Sequence, residues 1–69
     1  MNEVEAIQIA NKIMETEVSW PCPLIGLTES KLSPGYWGVS FQRRLPDGTA
    51  VDGPIVVMVR KSDGKAHVL

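Results

Sequence analysis

The chain has one cysteine, one histidine, two tryptophans, one tyrosine and one phenylalanine in 69 residues. A single cysteine, Cys22, cannot close a disulfide within the chain, so the stapled scaffolds of small secreted proteins are excluded. Cys22 and His67 alone cannot build a closed zinc site, which takes about four such ligands. No apolar run approaches the roughly 20 residues of a bilayer-spanning helix. Neither sign of charge dominates: seven Lys and Arg stand against eight Asp and Glu, a net charge of -1. The chain as a whole therefore lacks the strongly basic character of many nucleic-acid binders. Residues 1–10 hold Glu3 and Glu5 and no Lys or Arg, unlike the basic start of a secretory leader. A lone thiol suits a reducing compartment, and the expected location is the cytoplasm.

What is present is ordinary globular material, 43% hydrophobic and 22% charged. The length suits one domain over residues 1–69, with roughly 60% of the unfolded surface hidden on folding. Its stability must come from a thin core or from a partner subunit.

Asn2 and Glu5 have the spacing of a capping box, with Asn in place of Ser or Thr. Val4, Ala6, Ile7, Ile9, Ala10, Ile13 and Met14 then fall on one broad arc at about 100° per residue. The pattern predicts an amphipathic helix from about residue 3 to residue 17, packed on a sheet. Trp20-Pro21-Cys22-Pro23 ends it, because each proline is out of place in a helix and biases its predecessor toward extended backbone.

Four strands are expected next. Leu24 to Leu32 reads as the first, with a turn at Ser33-Pro34-Gly35. Tyr36 to Leu45 reads as the second, its Trp37, Val39 and Phe41 alternating with Gly38, Ser40 and Gln42. Turn residues at Pro46-Asp47-Gly48 and Asp52-Gly53-Pro54 precede the third, Ile55 to Arg60. Ser62-Asp63-Gly64 is a hairpin turn leading to the fourth, Ala66 to Leu69. The fold class is thus α+β: one N-terminal helix on a three- to four-stranded antiparallel meander. The expected core is Val4, Ile7, Ala10, Ile13, Met14, Trp37, Val39, Phe41, Ile55, Val57 and Val59.

The residues carry little chemistry. Nothing in the spacing brings Cys22 and His67 together as a nucleophile and base. The glycines sit in turns or strands, not in a phosphate-binding loop before a helix. Asp47-Gly48 and Asp63-Gly64 lack the ladder of oxygen ligands of a calcium loop. The expectation is no catalysis, no metal and no cofactor. Arg43, Arg44, Arg60, Lys61 and Lys65 near Tyr36 and Trp37 have some likeness to a single-strand RNA platform. Cations on edge strands more often discourage pairing, so nucleic acid ranks below protein as the partner.

One face of the sheet has the makings of a contact surface. If Ile55, Val57 and Val59 meet the helix, Val56 and Met58 point away from it. Strand parity adds Tyr36 and Arg44 from the second strand and Arg60 from the third. Tyr36, Arg44, Val56, Met58 and Arg60 therefore form the expected partner-binding face, apolar at the centre with arginine at the rim.

The helix, the Pro-containing break, the segment Ser33-Pro34-Gly35-Tyr36-Trp37-Gly38-Val39-Ser40-Phe41, the apolar strand, and the segment Lys61-Ser62-Asp63-Gly64-Lys65-Ala66-His67 together carry a resemblance. The chain resembles the YrhB-like small immunity proteins of bacterial polymorphic toxin systems, from about Val4 to Leu69. It departs from that pattern in the shorter connection from Pro46 through Gly53 and in the order Tyr36-Trp37 of the aromatic pair. The resemblance implies a cytoplasmic, non-enzymatic protein that binds and neutralises a cognate toxin. It transfers no binding residues, since such interfaces differ between members. The alternatives are a sheet-surface nucleic-acid module and a homodimeric interaction domain.

Overall fold

The computed structural model describes residues 1–29 and 33–69. Helix α1 spans Glu3–Glu17. Asn2 caps it from extended backbone, its Oδ1 accepting the Glu5 N–H at 2.9 Å. That contact satisfies one of the amides a helix start leaves unpaired. At the other end Val18 turns extended while its N–H still donates to the Met14 carbonyl at 2.9 Å.

The four strands are β1 (Leu24–Glu29), β2 (Tyr36–Phe41), β3 (Ile55–Arg60) and β4 (Ala66–Val68). They pair antiparallel in the order β1-β2-β3-β4. This is the α+β meander that the alternation and the short connections imply. Leu27, Val39, Val57 and Val68 lie on one row across the sheet, and Trp37, Val59 and Ala66 on the next. Both rows face α1, which lies across β2, β3 and β4. Ala6, Ala10 and Met14 of the helix close on Val39, Phe41, Ile55, Val57 and Val59. Ala6 and Ala10 are wholly buried. Their small side chains let the helix come close to the sheet.

The elements and core differ from the sequence-based expectation in several places. Val4, expected in the core, is 63% exposed. On a helical wheel it lies about 120° from the centre of the stripe defined by Ala6, Ala10 and Met14, beyond the reach of a flat sheet. Ile7 and Ile13 flank that stripe and are half-buried. Trp37, also expected in the core, packs against it but stays half-buried at the rim. β2 ends at Phe41, not Leu45, because its partner β1 begins at Leu24. Past that point Gln42 N–H reaches only the Pro23 carbonyl, at 2.8 Å. The chain continues as a narrow ribbon, Arg44 bridging to Ala50, that turns over at Gly48 with φ +91°. β1 ends at Glu29, and Ser30 to Leu32 of the expected strand lie outside the described residues.

β1 carries a register shift between Leu24 and Gly26. The bulge leaves Ile25 62% exposed. The β3–β4 hairpin closes through Arg60 N–H to Lys65 O and Gly64 N–H to Arg60 O, both at 2.8 Å. Gly64 has φ +76°, a backbone that residues with a Cβ rarely adopt.

Candidate functional site

The face of the sheet away from α1 is built by alternation. Tyr36 pairs with Arg60, Gly38 with Thr28 and Met58, Ser40 with Gly26 and Val56, and His67 with Met58. On the β1–β2 half these positions, apart from Tyr36 at the end, are Gly26, Thr28, Gly38 and Ser40, so little else stands above the backbone there. On the β3–β4 half stand Val56, Met58, Arg60 and His67.

Four of the five expected contact residues, Tyr36, Val56, Met58 and Arg60, share this face. Arg44 does not join them. Tyr36 opens β2 and Phe41 closes it, about 16 Å apart at strand spacing, and Arg44 lies beyond Phe41. The parity that linked Arg44 to Tyr36 assumed a strand running to Leu45, and β2 stops earlier.

Met58 is also not the exposed centre that parity suggests. It is 6% exposed, yet it is outside the core cluster under the helix. Its cross-strand partner Gly38 has no side chain, and Met58 Sδ lies 3.8 Å from where a Cβ on Gly38 would be, an ordinary contact distance. The accessible part of the face is therefore half-buried Val56 together with the Tyr36–Arg60–His67 end.

That end is ordered by specific contacts. The Tyr36 and His67 rings meet edge to face, 6.0 Å between centroids and 76° between planes, a favoured aromatic geometry. Arg60 grips Asp63 with both nitrogens, Nε to Oδ1 at 2.9 Å and Nη2 to Oδ2 at 2.6 Å. Asp63 Oδ1 also accepts the Lys65 N–H at 3.0 Å. The hydrogen bonds from Arg60, then that from Lys65, lower the Asp63 carboxyl from 3.8 to about 2. In return the hydrogen bonds and charge of Asp63 raise the Arg60 guanidinium above its ordinary value, and Tyr36 adds to it. On the opposite face, Lys61 Nζ sits 4.5 Å from the centroid of the Trp37 ring and 3.2 Å from Glu29 Oε1. The sequence-based reading missed this Trp37–Lys61–Glu29 group, because its members come from three different elements.

A second feature lies at the far end of the molecule. Trp20 Nε1 donates to the Arg44 carbonyl at 2.6 Å. This bond ties the segment after α1 to the β2–β3 ribbon. Between them is a cleft of about 420 Å³ lined by Trp20, Pro21, Cys22, Pro23, Arg44, Leu45, Pro46 and Gly48. Its walls are mostly apolar. Trp20-Pro21-Cys22-Pro23 reads in the sequence only as a helix stop, and nothing in the spacing reveals that it meets Leu45 and Pro46.

Among the described residues no three of His, Cys, Asp and Glu come together as metal ligands. No helix among them is long and apolar enough to cross a membrane. No family model, curated protein or solved structure matches this chain.

Proposed function

We propose that this chain is a small, non-enzymatic protein-binding domain of the bacterial cytoplasm, of the immunity type, which binds and neutralises a toxin domain. The observation that carries the reading is the open sheet face, where Tyr36, His67 and Arg60 are presented together at one end and half-buried Val56 lies further along β3. Aromatic and arginine side chains on a rigid sheet are the composition of protein interfaces. Arg60 is held by Asp63 in a fixed position, so little of its conformational freedom remains to be lost on binding. The resemblance to the YrhB-like immunity proteins supplies the class of partner.

The test is capture of a toxin domain encoded next to this chain, followed by calorimetry. Arg60→Glu with Val56→Ser changes the accessible residues and leaves Met58 in place. Substituting Met58 itself would confound the result, since its burial makes it part of the structure. The double variant should keep its circular dichroism spectrum and weaken binding by at least about tenfold. A folded double variant that binds as tightly as the parent would remove this face from the interface. Failure of every neighbouring protein to bind would remove the toxin-neutralising reading.

A further inference from the structure

We infer that the cleft between Trp20 and the β2–β3 ribbon is a second docking point for the protein partner, one that takes an apolar side chain flanked by acidic residues on an extended segment. The inference rests on the protein-binding reading above and adds the chemistry of what is bound.

Two independent observations converge on the cleft. The first is its shape and rigidity. Trp20, Pro21, Pro23, Leu45 and Pro46 line it, and three of these are prolines, whose backbone is already constrained. Trp20 is anchored through its indole N–H, and Leu45 is 47% exposed. A pocket with preset walls loses little entropy when an apolar group enters.

The second is charge without a counter-ion. Arg44 lines the cleft and Arg43 precedes it on the ribbon, and neither has a carboxylate within ion-pair distance among the described residues. Arg44, half-buried, gives Nη1 to the Gly48 carbonyl at 2.8 Å and Nη2 to Gln42 Oε1 at 2.9 Å. Both acceptors are neutral. Its Nε is buried without an acceptor. Arg43 gives its Nε to the Gly53 carbonyl at 3.1 Å. The nearby Asp47 carboxylate accepts the Thr49 N–H at 2.9 Å instead. Elsewhere, by contrast, Arg60 and Lys61 each hold a carboxylate. The Arg44 guanidinium, fixed by neutral acceptors in the wall of an apolar cleft, favours an incoming carboxylate, because charge-assisted bonds are stronger than those they replace. A nucleic-acid strand is the weaker fit. Phosphates spaced along a strand need a longer basic track than this one arginine in the cleft wall.

The probe is the capped tripeptide acetyl-Glu-Leu-Glu-amide, with acetyl-Gln-Leu-Gln-amide as its neutral counterpart, titrated into the ¹⁵N-labelled chain. The Trp20 indole and Leu45 amide signals should move together and saturate, with the acidic peptide binding about tenfold tighter than the neutral one. Arg44→Gln should abolish that preference, and Leu45→Ser, at an exposed position, should weaken both peptides. Equal affinity for the two peptides, or no saturable shift at millimolar peptide, overturns the inference. So does preferential binding of a short oligothymidylate at the same signals. These outcomes are independent of whether a toxin partner is found, so failure here leaves the proposed function standing, and the reverse.

Discussion

Phe41→Ala is the sharpest probe of how the helix and sheet are joined. Phe41 is 2% exposed and is the largest of the fully buried side chains. It pairs with Leu24 on one side and Ile55 on the other, and the core cluster places it beneath α1. Truncating a buried phenylalanine costs about 3–5 kcal/mol, from lost transfer energy and the cavity left behind. A domain of 69 residues has about 3–10 kcal/mol in total. Phe41→Ala should therefore leave a protein that is marginal or unfolded at room temperature. Phe41→Leu keeps most of the volume, should cost about 1–1.5 kcal/mol, and gives a measurable transition where the alanine variant does not. The assay is urea denaturation followed by circular dichroism, with the slope compared against the parent to check that the same surface is exposed. A loss below about 1 kcal/mol for Phe41→Ala would refute the register, since it would mean that the ring is not covered by the helix.

Three further outcomes follow from local geometry. Gly64→Ala should destabilise more than Gly48→Ala. Both residues have positive φ, at about 1–2 kcal/mol for a side chain there, but a Cβ on Gly64 would also meet Met1 Cε at 3.0 Å and Ile9 Cδ1 at 3.1 Å, while Gly48 has open space; equal melting temperatures would contradict this. Asn2→Ala removes the acceptor for the Glu5 N–H and should cost about 0.5–2 kcal/mol, visible as faster amide exchange in the first turn of α1. Asp63, with its folded-state value lowered to about 2 by the Arg60 hydrogen bonds, contributes stability that is present above pH 3.8 and is lost as the pH falls through about 2. Its carboxyl ¹³C shift should titrate near 2 in the parent and return toward the ordinary aspartate range in Arg60→Gln; an unchanged midpoint would show that Arg60 is not the cause.

The elements themselves were legible in the residues. Asn2, the proline pair around Cys22 and the glycines at the turns mark where each begins or ends. The alternation through Val39 and Phe41, and again through Val57 and Val59, puts these side chains on the helix side. Those signals are local, because capping, φ restriction and a period of two act between residues close in the chain. Other features depended on which neighbour stands across the sheet. Met58 has the outward parity expected of it, yet it is only 6% exposed. Val4 is as apolar as Ile7 but falls off the side of a helix lying on a flat surface. Arg44 lost its link to Tyr36 because β2 ends at Phe41, opposite Leu24 at the start of β1. The cleft between Trp20 and Leu45 joins segments more than twenty residues apart, and only the folded meander brings them together. Periodicity decides the direction in which a side chain points, whereas its burial depends on the side chains of strands paired across the sheet, and only the tertiary structure settles that.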